Sequence, residues 1–227
     1  MFQYAGIRDA IVSAVRAGCE GRHVGVAFSG GLDSGLVAAI AKDHAASVTL
    51  YTCGSLGSYD MIMAKDMSGE LGLPWVHVPL SKDNVEDIIK EMIAATGTYD
   101  PFTLSYELPL FCVCRASGEN TMLTGQGADE YFMGCAKYVD APDGDYEMLK
   151  KAGVERLMNI SVPCELRIAR HFGLDLVYPY LDDGVISQVG KVDPSELRPA
   201  DMDSRKSVLK AVARDLGYPY IADRKKK

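Results

Sequence analysis

No apolar run in this 227-residue chain approaches the roughly 20 residues that a membrane-spanning helix needs; Leu36-Val37-Ala38-Ala39-Ile40-Ala41 is typical of the longest. A membrane-spanning protein is not expected. The stretch from Met1 to Asp9 lacks the basic-then-apolar order of a secretory signal, so the expected location is cytoplasmic. An excess of positive charge is missing too. The 24 Lys and Arg against 31 Asp and Glu leave a net charge of -7, which offers no general attraction to nucleic acid or an anionic membrane. Cysteine is sparse: the six, at 19, 53, 112, 114, 135 and 164, form no Cys-x-x-Cys pair. Neither a disulfide scaffold nor a zinc ribbon is expected, and Cys112 and Cys114 read as small core residues of an apolar segment.

What is present is a strand-helix alternation. An amphipathic helix through Ile7 to Arg16, ended by Gly18 and Gly21, precedes the apolar run His23 to Phe28. Glycines follow, then a helical pattern at Leu32, Leu36, Val37 and Ile40. The cycle repeats with Val48 to Thr52 before a helix near Asp60 to Leu71, and with Trp75 to Val78 before one near Asn84 to Ala95. A helix through Glu107 to Ala116 leads to a fourth strand, Thr121 to Thr124. Strands alternating with helices imply right-handed crossovers and a parallel sheet. Beyond the fourth strand the β signal fades. Helices are expected near Tyr146 to Ala152, Pro163 to Phe172, Gly184 to Val189 and Ser204 to Leu216. The expectation is one α/β domain over 1–227, a doubly wound parallel sheet at about 22–135 with a helical portion at about 145–227.

Two glycine turns carry the chemistry. In Ser29-Gly30-Gly31-Leu32-Asp33-Ser34, between the first strand and its helix, helix N-terminal amides and two serine hydroxyls can wrap an anionic phosphate. Neither the γ-phosphate loop Gly-x-x-x-x-Gly-Lys-Ser/Thr nor the dinucleotide pattern Gly-x-Gly-x-x-Gly follows this strand. Asp33 would repel phosphate unless a cation intervenes, which points to Mg²⁺. The fourth strand ends likewise in Thr124-Gly125-Gln126-Gly127-Ala128-Asp129-Glu130, so two parallel strands deliver acids to one edge of the sheet. His77 and His171 lack clustered partners and read as structural, and Met61, Met63 and Met67 as packing on a helix.

These residues resemble a known family. Ser29 to Ser34 looks like the pyrophosphate loop of the N-type ATP pyrophosphatases, and Gly125 to Glu130 resembles the Gly-Glu-Gly-Ala-Asp-Glu segment of asparagine synthetases. Tyr99-Asp100-Pro101, Tyr178 to Asp182 and Arg205 to Lys210 are similar to stretches of the same domain in the same order. The resemblance implies an adenine nucleotide alpha hydrolase-like fold and an AMP-forming amide ligase. ATP would be held by Ala27, Phe28, Ser29, Gly30, Gly31, Asp33 and Ser34, by Tyr51, Thr52, Cys53 and Gly54 at the end of the second strand, and by Gly125, Gln126 and Gly127. Mg²⁺ would sit on Asp33 and Asp129. The family's catalytic lysine would be Lys225 or Lys226, with Lys227 and Arg224 in the same basic run; failing these, the cation is to be sought at Arg205, Lys206 or Lys210.

The implied reaction adenylates a small carboxylate for amination by ammonia or an amine. Residue 2 is phenylalanine, and about 23 residues precede the first strand, so nitrogen is expected from free ammonium or a separate glutaminase subunit. Gln126 stands where the family places a glutamate, which removes a charge from the acceptor side. The competing readings are activation of a tRNA base for thiolation or amination, which the acidic balance disfavours, and a non-catalytic nucleotide-binding regulator. Self-association into a homo-oligomer and any continuation past Lys227 are left open.

Overall fold

The structure is a computed structural model and describes residues 2–224. Among these, strands β1 (His23–Ala27), β2 (Ser47–Gly54), β3 (Trp75–Pro79), β4 (Thr121–Leu123) and β5 (Asp175–Val177) form one sheet in the order β3-β2-β1-β4-β5, every pair parallel. Helix α1 (Ala5–Cys19) precedes β1, and α2 (Leu32–His44), α3 (Tyr59–Leu71) and the pair α4 (Val85–Thr96) and α5 (Pro101–Ala116) fill the first three crossovers. Between β4 and β5 lie α6 (Ala128–Tyr131), α7 (Asp143–Arg156), a π-helical turn at Leu157–Ser161 and α8 (Val162–Phe172). The chain then runs through α9 (Asp183–Val189), α10 (Pro194–Leu197), α11 (Ser207–Asp215) and α12 (Pro219–Ala222).

Both faces of the sheet are covered, as a parallel sheet requires. One core joins Ile11 and Val15 of α1, Leu36 and Val37 of α2, and Leu209 and Val212 of α11 to Val24 and Val26 of β1. The other packs Ile88 and Met92 of α4, Phe111 of α5 and Ile168 of α8 together. The expected doubly wound α/β fold is what the chain adopts. Its four expected strands are present, and no described helix is long and apolar enough to cross a membrane.

Three expectations need correction. The β signal does not stop at β4: Asp175–Val177 adds a fifth strand, with Met122 opposite Leu176. Gly18 lies inside α1, not at its end, and lets the helix approach Val177 of β5 so closely that a Cβ would collide with that side chain. The last long helix starts at Ser207, because residues 201–206 form turns held by Ser204 and Asp201. Cys19, Cys112, Cys114 and Cys164 are buried free thiols, whereas Cys53 and Cys135 are half-buried.

The strand order places the site. Successive crossovers carry the chain outward from β1 to β3, and β4 then returns to the opposite side of β1. The crevice beyond the carboxyl ends of β1 and β4 is therefore a topological switch point, where open α/β sheets bind ligands.

Candidate active site

The loop after β1 turns tightly at the mouth of the crevice. Gly30 has φ +69°, and a Cβ there would press into the backbone of Ala64 in α3. Only glycine lets the loop turn against that helix. Within the loop the Ser29 amide donates to Ser34 Oγ (3.1 Å), and the Gly31 amide donates to Ser29 Oγ (3.3 Å). Gly31 caps α2, so the helix N-terminus with its unpaired amides opens into the crevice. Buried Tyr180 anchors the loop from the far end of the chain by donating to the Asp33 carbonyl (3.0 Å).

Asp33 and Asp129 converge on one cation. Lys206 Nζ lies 2.5 Å from Asp33 Oδ2 and 2.7 Å from Asp129 Oδ1. Burial opposes the lysine's charge, but the attraction of Asp33 and then Asp129, with hydrogen bonds to both, outweighs it and holds the ammonium well above its ordinary pKa. Lys206 reaches this point from a left-handed backbone, φ 57° and ψ 33°, just before α11. For a residue other than glycine that conformation costs about 1–2 kcal/mol, a strain of the kind that clusters at functional sites. The approach also depends on Gly134, where a Cβ would overlap Asp129 Oδ1 and Lys206 Cε. Arg205 braces the same turn by donating to the Gly134 carbonyl (2.8 Å).

Two cavities meet at this triad. The outer, of about 710 Å³, is bounded by the loop and by Lys206, Arg205, Lys210, Arg214 and Arg224. The inner, of about 360 Å³, runs along the strand ends past Ala27, Phe28, Tyr51, Thr52 and Cys53 to Gly125 and Gln126. Ser29, Asp33 and Asp129 belong to both. Two expected contacts line neither cavity: Gly54, the last residue of β2, accepts a hydrogen bond from His77 (2.8 Å), and Gly127 packs on Leu181 with φ +91°. Arg224 borders the outer cavity and pairs with Asp66 (3.4 Å). Lys225, Lys226 and Lys227 lie outside the described residues.

The inner wall holds residues that sequence reasoning passed over. Glu107 of α5 and Glu165 of α8 are each 2% exposed and both line this cavity. Gln126 Nε2 donates to Glu165 Oε1 (2.6 Å), so the charge that Gln126 lacks stands next to it. Burial, and then the charge of Glu165, push the Glu107 carboxyl up to about 8; burial likewise raises Glu165.

A doubly wound α/β chain with a serine-glycine anion loop and paired acids at the switch point defines a nucleotide-binding class, and the comparisons narrow it. The profile of the asparagine synthase family matches residues 6–161, and the chain belongs to that family. It is 28% identical over 213 residues to asparagine synthetase [glutamine-hydrolyzing] 1 of Arabidopsis thaliana, covering 87% of this chain and 36% of that protein. With asparagine synthetase B [glutamine-hydrolyzing] of Escherichia coli K12 the identity is 25%, covering 82% and 37%. The chain thus spans little more than a third of these relatives. A solved structure, a predicted tRNA methyltransferase subunit from Methanocaldococcus jannaschii, aligns at 15% identity with a TM-score of 0.40 over 86% of this chain and 89% of that one; so distant a likeness carries no functional argument.

Proposed function

We propose that this chain is an ATP-dependent ligase that adenylates a small carboxylate, releases pyrophosphate and transfers the acyl group to ammonia or an amine. The observation that carries the reading is the Asp33–Lys206–Asp129 triad at the mouth of the anion loop, between the two cavities.

In this reading the loop amides and Ser29 hold the β- and γ-phosphates in the outer cavity, and the adenosine lies along Ala27, Phe28 and Tyr51. The α-phosphorus then falls beside Lys206. An acceptor carboxylate oxygen entering from the Gln126 side attacks it, forming one P–O bond as the bond to the bridging oxygen breaks, and pyrophosphate departs with the electron pair. The Lys206 ammonium lies where negative charge accumulates on that oxygen, and a preorganised charge of this kind stabilises the transition state more than the ground state. The amine next attacks the acyl carbon, AMP leaves, and the nitrogen gives up a proton.

Two carboxylates already converging on one cation are a hard-oxygen set that suits Mg²⁺ completed by phosphate oxygens. Asp33 and Asp129 would hold the ion, which when bound neutralises phosphate charge. Magnesium-dependent, acid-stimulated exchange of labelled pyrophosphate into ATP tests the reading. Exchange together with AMP as the product is expected, and ADP as the sole product would overturn it.

A further inference from the structure

The inner cavity is acidic to a degree that adenosine binding does not explain. Among the described residues its lining includes Asp33, Asp60, Glu107, Asp129 and Glu165, and no lysine or arginine. Asp33 and Asp129 are matched by Lys206. Glu107 and Glu165 have no such match. Glu107 Oε1 and Glu165 Oε2 are buried without a hydrogen-bond partner, although both residues face the cavity. Arg156, whose charge also acts on Glu107, stacks over the Phe102 ring at 4.3 Å and is not part of the wall. Tyr178, close to Glu165, keeps its phenol protonated.

An unpartnered buried carboxylate oxygen costs about 1–3 kcal/mol, and more when charged. Two of them side by side, with Gln126 donating to a third oxygen, leave this wall with hydroxyl and amide donors but no fixed cation. An acceptor with a second carboxylate would bring further negative charge into this wall with nothing to neutralise it. An ammonium or guanidinium group instead supplies several N–H donors and a positive charge in one planar or tetrahedral unit.

We propose that Glu107 and Glu165, steadied by Gln126, bind a cationic nitrogen of the acceptor, so that the acceptor is an amino or guanidino acid carrying a single carboxylate. The inference rests on the ligase reading for the identity of the bound molecule as acceptor. The cation competes with the proton that burial keeps on Glu107 near neutral pH, and its binding is therefore coupled to proton release. The groups acting on the pair are Gln126, Ser161, Tyr178, Arg156, Tyr106, Cys114 and Cys164. Among the ionisable ones, the phenols and thiols are raised by burial and the guanidinium stays charged, so none changes charge near pH 7.

Two probes with the same three-methylene spacing separate the alternatives: 4-guanidinobutyrate and glutarate, titrated calorimetrically into the full chain at pH 7 in two buffers of different ionisation enthalpy. The guanidino acid should bind at least about tenfold more tightly, as expected for one charge-assisted pair, and release close to one proton. Glu107→Gln and Glu165→Gln should each reduce the preference and the proton release. Glutarate binding equal to or tighter than the guanidino acid, or guanidinobutyrate binding without proton release, overturns the proposal, and the comparison on the unaltered chain does not depend on either variant folding. Because binding is read without turnover, failure here leaves pyrophosphate exchange standing, and absent exchange would sink the ligase reading while leaving the cation preference intact.

Discussion

The two cavities share a wall and differ in their charge. The outer one sets Lys206, Arg205, Lys210, Arg214 and Arg224 against five aspartates, whereas the inner one has five acids and no basic side chain among the described residues. Proteins that bind polyphosphate need cations within reach of it, and the outer cavity meets that need. A cavity lined only with acids leaves its charge to be balanced by protons or by whatever enters. In the proposed function, one end would thus be matched to its anion in advance and the other completed by its ligand.

The largest test of this contrast falls on the outer cavity's lysine that pairs with the shared aspartates. Lys206→Met should lower the rate of pyrophosphate exchange by about 10²- to 10³-fold, the usual effect of deleting one preorganised electrostatic group, with a smaller change in KM for ATP. Exchange within tenfold of the unaltered chain would separate Lys206 from the chemistry. Gly134→Ala should act through the same lysine without removing it, since the added Cβ must displace either Asp129 or the lysine stem. A loss of up to about 10²-fold in kcat is expected, typical of a displacement of about 1 Å at a reacting centre, with a circular dichroism spectrum unchanged from the unaltered chain. Retained kcat would show that the turn tolerates the shift.

The remaining test belongs to the inner cavity and reads stability instead of rate. The Glu107 carboxyl ionises near 8 in the folded chain and near 4.3 when unfolded. Between those values the folded state holds a proton that the unfolded state has lost, so stability falls as pH rises through that window and levels off above it. Glu107→Gln lacks this dependence. Its denaturation midpoint should gain on that of the unaltered chain from pH 5 to pH 8 and stay level beyond pH 9. Parallel midpoints over that range would place the ionisation elsewhere.

Much of the fold was legible because its signals are local. β1 to β4 are short apolar runs closed by turns, and α2 and α4 show a plain helical period. β5 was not, since three residues with an aspartate at one end carry no alternation to detect; its strand character comes from pairing with β4. The start of α5 was available: Asp100 caps it by accepting from the Thr103 amide, and Pro101 is its first residue, a pairing with a known helix-start meaning. Reading that signal would have set Glu107 in the second turn of a longer helix.

The acids of the candidate site could be read because glycine turns frame them, as at Asp33 and Asp129. Glu107 and Glu165 could not, because each sits inside a helix and only the packing of α5 against α8 joins them. Lys206 was one of three cations held in reserve behind the run Arg224 to Lys227, and nothing local singles it out. A lysine in a left-handed conformation runs against propensity and persists only where the surrounding structure enforces it.

The Asp33–Lys206 pair spans 173 positions of sequence. At a synthesis rate of about 5–20 residues per second, roughly 10 to 35 s pass between the emergence of Asp33 and that of its counter-charge. The first four strands can pair during that interval, so the sheet forms with two aspartates facing each other unneutralised. Completion of the site thus follows formation of the sheet, and the lysine that closes it reports that the sheet beneath it has been made.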